Sequence, residues 1–439
     1  MKKSLLAILC AAAVLALPAP PAKAYTPDAA IQAEAAILLN LDTGAVMFSR
    51  GADKPVHPAS LTKIMTTVLA LESGKNLDTT VIAVPKYCLD LLLGTDSSMS
   101  GIKAGEELTL RQLLYAMMMM SGNDVANVLA DYFGGGDIEA FVRMMNERAK
   151  KLGMEHTHYV NPHGLTADGH LTTASDMLKL VRHAMELPVF MEITSTARYE
   201  LPATNKSEKR TLTTSNLMMN SQSAYYYRYI KGIKTGYTGE AGRCLISTAS
   251  KDGYNYLAIV MKCPVKDAQG KNIRADFSDT RALYEWAFGS FEYKEILSGT
   301  EPIEELAVGL SWDTDFVQLV PETPLTAIIP KEANASTVIF NTKIPDKKAD
   351  APIKKGAVYG SVDIVYAGEV IGSVNLVAAD SVPRSRLLFI YKQFLRAVGS
   401  TVFKAAAAVL IVLLILLIIL AVVRGRRRSR RRVRSYRRT

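Results

Sequence analysis

RYIKGIKTGYTGEAGRCLISTASKDGYNYLAIVMKC, residues 228–263, decides the fold. It holds three strand-like runs, RYIKGIKTGYT, RCLISTAS and YNYLAIVMKC, and the last two are joined by a turn at Lys251-Asp252-Gly253. Short apolar runs set off by turn residues predict successive strands. Near the start, AAILLNLDTGAVMFSR (35–50) reads as a hairpin about Asp42-Thr43-Gly44. Between these two regions the spacing is helical, in HPASLTKIMTTVLALE (57–72), across 109–150 and again around 175–185, and a last helix follows at about 272–290. Strands, then helices, then strands, then a helix predict an α+β domain with an antiparallel sheet, not repeated βαβ units. In 57–72, apolar Leu61, Ile64, Met65, Val68, Leu69 and Leu71 predict one buried face and one free face. The run Met117–Met120 predicts core packing, and the Asn-, Pro-, Gly- and His-rich stretch 155–175 a long functional loop.

The chain ends suggest where this domain works. Residues 1–24 combine Lys2 and Lys3, an apolar run from Leu5 to Leu17 and a terminal Ala22-Lys23-Ala24, the pattern of a secretory signal peptide. Ala405–Val423 is nineteen residues without charge or proline, enough for a membrane-crossing helix. The tail 424–439 carries ten arginines, which predicts a cytoplasmic tail and an extracytoplasmic remainder. The net charge of +10 is therefore no sign of nucleic-acid binding: ten charges lie in the tail and three, at Lys2, Lys3 and Lys23, in the signal, leaving the ectodomain near −3. Between the catalytic candidate (25–290) and the anchor, residues 291–382 show only short alternating runs and predict a small all-β domain. Residues 383–404, both basic and apolar, predict an interfacial linker.

After the signal, the cysteines are Cys88, Cys244 and Cys263, too few for a disulfide framework. Cys244 and Cys263, on neighbouring strands, could face each other, but buried free thiols are the expected state. No C-x-x-C or H-E-x-x-H spacing occurs, and of the six histidines only His156 and His158 are close in sequence, so no metal and no cofactor is assigned.

A nucleophilic serine needs a base, a proton path and donors for the developing oxyanion. Ser60-x-x-Lys63 at a helix start could place an amine beside a hydroxyl, and burial would lower the lysine pKa toward that of a base. The spacing alone is weak, since Ser100-x-x-Lys103 repeats it in a loop and Ser373-Val374-Asn375 repeats the form of Ser121-Gly122-Asn123. Lys234-Thr235-Gly236 is unique and lies on a predicted strand. The ordered set S-x-x-K, S-G-N, K-T-G resembles the penicillin-recognising serine enzymes, with S-G-N where the general signature has S-D-N. With PASLTKIMT, NPHGLTADGHLTTASDM, GIKTGYTGEAG and APIKKGAVYGSV, the chain resembles the low-molecular-mass penicillin-binding proteins, the serine-type D-Ala-D-Ala carboxypeptidases of peptidase family S11.

That resemblance implies a β-lactamase/transpeptidase-like domain followed by a small all-β domain and a C-terminal transmembrane helix. It implies Ser60 as nucleophile, Lys63 as general base and Ser121 as proton relay. Asn123 would hold the substrate amide, Lys234 and Thr235 the terminal carboxylate. Gly236 would leave room for substrate along the strand, and the N–H groups of Ser60 and Tyr237 would form the oxyanion hole; Tyr237 stands where some relatives have His. Arg198 is a further candidate for charge near the site. The implied partners are peptidoglycan stem pentapeptides ending in D-Ala-D-Ala, β-lactams as inhibitors and the cytoplasmic membrane, with no nucleic acid. The alternatives are a β-lactamase or D,D-endopeptidase on the same scaffold, and a catalytically idle wall-binding protein. No E-x-x-x-N deacylation element follows S-G-N, and every motif residue is present.

Overall fold

The structure, a computed structural model, describes residues 27, 30–332, 338–366 and 369–435; for 369 and 425–435 only the backbone is described. The expected signal peptide, 1–24, lies outside the described residues. The chain forms two compact units. The first runs to Lys294 and regains Ile328, where the expectation set a single break after residue 290. Ile328 rejoins because its buried side chain belongs to the same apolar cluster as Trp286 and Phe291.

The first unit is built on a five-stranded antiparallel sheet. Its strands, in spatial order, are Val46–Arg50, Ala35–Asn40, Tyr254–Cys263, Gly242–Lys251 and Ile230–Thr238. All three predicted strands of 228–263 are present, and Ile230–Thr238, which carries K-T-G, forms one edge. Both faces of the sheet are covered, so Ala35–Asn40 is buried at every position and Ala35–Leu39 reads as a continuous apolar run instead of an alternation. Ile37, Leu39, Ile246, Leu257 and Ile259 pack into the helical layer on one face. Leu38, Leu245, Tyr256, Ala258 and Val260 pack on the other, against Phe277, Leu283, Tyr284 and Ala287 of helix Ala275–Ser290.

Cys244 belongs to the first of these layers and Cys263 to the second, so the two thiols lie on opposite faces of the sheet. They do not face each other as the neighbouring strands suggested, and both are free. The alternation of side chains along a strand decides the matter: Cys263 pairs with Arg243, one position away from Cys244.

The helical layer corrects a second expectation. Helix Lys63–Glu72 has no free face: Lys63, Ile64, Met65, Thr66, Thr67, Val68 and Ala70 are all buried. Its threonines tolerate burial because their hydroxyls are satisfied, Thr66 Oγ1 donating to Pro162 O (2.7 Å) and Thr67 Oγ1 to Lys63 O (2.8 Å). Helix Leu110–Met120 begins with a capping box between Thr109 and Gln112 and buries Met117, Met118 and Met119 as core residues. It ends at Ser121 in the left-handed conformation (φ 58°), and Asn123–Phe133 starts two residues later. S-G-N is thus the corner between two helices.

The second unit is a six-stranded sheet in the order Val338–Lys343, Val358–Tyr366, Glu369–Ala378, Phe316–Pro321, Glu304–Gly309, Lys348–Asp350. Its core includes Leu306, Leu319, Ile364 and Leu376. Helix Arg386–Gly399 follows and buries no residue. Thr401–Arg424 is a helix long and apolar enough to cross a membrane, none of it buried in protein.

Candidate active site

Ser60 sits in the tight helical turn Ala59–Thr62, which leads directly into the α-helix starting at Lys63. The turn is held from below: Thr62 Oγ1 donates to Ala59 O (2.8 Å) and lies 2.9 Å from His170 Nε2. His170 Nδ1 accepts from Val160 N–H at 3.1 Å, so Nε2 carries the proton and donates to Thr62. Burial pushes the His170 imidazole down to about 4, which keeps it neutral in that role.

Lys63 is fully buried, and its Nζ has three neighbours: Ser60 Oγ at 2.9 Å, Asn123 Oδ1 at 2.7 Å and His163 O at 2.6 Å. Two of these, the amide and peptide carbonyls, can only accept. A neutral amine has two N–H bonds for them and one lone pair for the Ser60 hydroxyl, so all three contacts are satisfied without a charge. Burial, with the nearby charge of Lys234, holds the Lys63 pKa well below its ordinary value, while Asp124 opposes the shift. An ammonium, with three N–H bonds, fits the same three contacts, so the geometry brings Lys63 Nζ to the Ser60 hydroxyl and it is burial that favours the neutral form.

The third motif approaches from the sheet edge. Lys234 is buried, and its Nζ donates to Ser121 Oγ (2.9 Å) and Thr235 O (3.0 Å); burial lowers its pKa to about 7. Gly236 is where the strand meets the Ser60 turn: a Cβ there would lie 3.2 Å from Ala59 Cβ and 3.3 Å from both Pro58 O and Ser60 N. The missing side chain makes room for the Ser60 turn itself, a reason nearer than the expected clearance for substrate.

A cleft of about 800 Å³ opens over these groups. Ser60, Ser121, Thr235, Gly236 and Tyr237 line it, whereas Lys63, Asn123 and Lys234 lie beneath its surface. Asn123 is turned inward, its Nδ2 donating to Ser97 Oγ at 3.0 Å. Arg198 is not part of the cleft: it is exposed and pairs with Glu200 at 3.0 Å on strand Arg198–Leu201. The cationic groups that do line it are Arg243, 5.0 Å over the Tyr237 ring, and Arg274, which grips Asp276 through two bonds of 2.9 and 2.7 Å. Ser215, whose hydroxyl is 2.7 Å from Thr235 Oγ1, and Thr166, 2.8 Å from Thr238 Oγ1, also line it. None of these four stands in one of the three short motifs. The loop 155–175 reaches the site through the His163 carbonyl on Lys63 and through Thr166.

This arrangement has known counterparts. Residues 21–264 match the family model for D-alanyl-D-alanine carboxypeptidase, and 291–384 the model for the C-terminal domain of penicillin-binding protein 5. The chain belongs to the D-alanyl-D-alanine carboxypeptidase family S11. It is 28% identical over 371 residues to D-alanyl-D-alanine carboxypeptidase DacF of Bacillus subtilis, covering 84% of this chain and 90% of the relative. D-alanyl-D-alanine carboxypeptidase DacB2 of Mycobacterium tuberculosis is 32% identical over 57% of this chain and 81% of its own. Among solved structures, penicillin binding protein 5 from Haemophilus influenzae aligns with a TM-score of 0.63 at 26% identity, covering 82% of this chain and all of the other. The Streptomyces K15 DD-transpeptidase aligns with 60% of this chain at a TM-score of 0.54 and 27% identity. This confirms the expected fold class: a transpeptidase-like α+β domain followed by an all-β domain.

Proposed function

We propose that this chain is a serine-type D-alanyl-D-alanine carboxypeptidase that trims the terminal D-Ala from peptidoglycan pentapeptides through an acyl-enzyme on Ser60. β-Lactams would acylate the same hydroxyl. The observation that carries the reading is the Lys63 amine, 2.9 Å from Ser60 Oγ with two obligate acceptors on its other sides.

In acylation, Ser60 Oγ attacks the penultimate D-Ala carbonyl as its proton passes to Lys63 Nζ. The N–H groups of Ser60 and Tyr237 would hold the oxyanion; the approach of strand and turn at Gly236 supports this pairing. Collapse breaks the peptide bond, and the departing D-alanine amine takes a proton through Ser121, whose Oγ is backed by Lys234 at 2.9 Å. Water then cleaves the ester, releasing the shortened peptide and restoring Ser60. Asn123 would act mainly by orienting Lys63, since its amide is already engaged on both sides.

Lys234 makes substrate capture pH-dependent. With a pKa of about 7, the amine carries its charge below that pH and loses it above. Attraction for the terminal carboxylate is therefore present in acid and fades as pH rises. KM for a pentapeptide should rise several-fold between pH 6 and pH 9, roughly the order expected from one lost charge contact; a flat KM would contradict the assignment. The reading as a whole is tested by incubating the detergent-solubilised protein with a peptide ending in D-Ala-D-Ala and measuring free D-alanine. Release is expected, and its absence would overturn the proposed activity.

We further infer a single-pass anchor, with Thr401–Arg424 in the cytoplasmic membrane, the arginine-rich end inside and both folded units outside. Helix Arg386–Gly399 exposes Leu387, Ile390, Tyr391, Phe394 and Leu395, an apolar stripe at helical spacing suited to the membrane surface. Deleting 405–439 should turn a protein that needs detergent for release into one held by the amphipathic helix alone and stripped by an alkaline carbonate wash. Continued resistance to carbonate would contradict the anchor.

A further inference from the structure

The second S-x-x-K, at Ser100, has no nucleophilic role in the reaction above, yet it is tied directly to the site. Asp124, next to the S-G-N corner, is fully buried. Its Oδ2 accepts from Ser100 N–H and Ser100 Oγ, both at 2.9 Å, and its Oδ1 from Ser100 N–H at 3.1 Å and Val125 N–H at 2.9 Å. Burial pushes the Asp124 carboxyl up, and the two backbone N–H groups, which can only donate, together with the Ser100 hydroxyl work against that shift and favour the ionised form. Beside this clasp, Asn123 N–H donates to Ser98 O at 2.8 Å and Asn123 Nδ2 to Ser97 Oγ at 3.0 Å. Asp96, Ser97 and Ser98 line the cleft, so one wall hangs from two adjacent residues of the corner. The glycine of S-G-N accommodates the clasp: a Cβ at Gly122 would come within 2.6 Å of Asp124 Oδ1 and 2.8 Å of Ser100 Cβ.

Lys63 is faced by Ser60 from its own turn, by Asn123 and Asp124 from the corner helix, by His163 and His170 from the loop and by Lys234 from the sheet edge. His163 and His170 are held neutral, with pKa values of about 3 and about 4. Asp124 thus supplies the negative charge that opposes Lys234 at the Lys63 amine.

We propose that Asp124 is a positioning residue for acylation of Ser60: through Ser100 it holds the 96–98 wall of the cleft, and, as the neighbour of Asn123, whose Oδ1 lies 2.7 Å from Lys63 Nζ, it brings a buried carboxylate to the side of that amine and so biases its proton. The inference rests on the carboxypeptidase reading of the same site. Its sign is fixed. A nearby carboxylate favours the ammonium form, so removing its charge makes Lys63 a base at lower pH.

The test is the pH profile of acylation by a fluorescent penicillin, normalised to its plateau, for wild type, Asp124→Asn and Ser100→Ala in the full chain. Asp124→Asn should move the acid-limb midpoint down by about one pH unit, roughly a tenfold gain in relative rate on the acid side. A midpoint within about 0.2 unit of wild type would overturn the electrostatic part, however far the plateau fell. The normalised midpoint does not depend on how much protein folds. Ser100→Ala keeps the carboxylate, so its midpoint should stay put while KM for the pentapeptide rises about threefold, the scale of one lost hydrogen bond. An unchanged KM would overturn the wall-holding part, and this arm stands even if Asp124→Asn does not fold. Failure of wild type to be acylated at all would instead contradict the carboxypeptidase reading.

Discussion

Ser60→Ala is expected to abolish covalent labelling by penicillin and to lower D-alanine release by about 10⁴-fold or more, the scale seen when a nucleophile is removed and only binding and oxyanion donors remain. The substitution should leave Tm within about 2 °C of wild type. Ser60 is only partly buried, and Lys63 Nζ keeps its two carbonyl acceptors at 2.7 and 2.6 Å when the hydroxyl is gone. Loss of activity with an unchanged melt separates a reacting group from a structural one. Labelling that survives in this variant would place the nucleophile elsewhere, and a melt lowered by 10 °C would mean that Ser60 supports the fold.

Lys63→Met is the second large effect. The replacement matches the length of the buried stem and removes only the amine, so it tests the base with little change in volume. Acylation should slow by about 10²–10⁴-fold, the usual contribution of a general base. Its pH profile should change as well. If Lys63 is the base, the reactive form in wild type is the neutral amine, so the rate should climb as pH rises through the lowered Lys63 pKa and then level off. Lys63→Met should lose that limb and show a low, flatter profile. The variant leaves Asn123 Oδ1 and His163 O without their donor, at about 1–3 kcal/mol each, so a lower Tm is also expected. A full rate with the limb intact would dismiss Lys63 as the base.

How much of this was legible in the sequence follows from which groups did the work. The strands of 228–263 were readable because apolar runs and turn residues are local, and Ser60, Lys63, Ser121 and Lys234 because the three motifs occur in order. The helix Lys63–Glu72 was misread as half exposed. Its pattern is amphipathic only if Thr66 and Thr67 face water, and the carbonyls that let them stay buried, Pro162 O and Lys63 O, are backbone atoms without a sequence signature. The same holds for the His163 carbonyl on Lys63. Arg243, Arg274 and Ser215 reach the cleft through tertiary placement of the strand after K-T-G, the approach to helix Ala275–Ser290 and the segment after strand Arg210–Thr213, so nothing in their local sequence marks them. Arg198 was chosen for its charge alone, and its partner is Glu200. The pairing of Ser100 with Asp124 joins two segments 24 residues apart and gives the second S-x-x-K a fixed place beside the S-G-N corner.

Whether Ser60 with Lys63 is an acylating pair can be decided by mapping the penicillin adduct. The full-length protein is labelled, digested and analysed by mass spectrometry. A single penicilloyl group is expected on the peptide containing Ser60, together with D-alanine release from a D-Ala-D-Ala peptide that the label blocks. An adduct on any other residue, or D-alanine release that continues after Ser60 is fully labelled, would contradict that pairing.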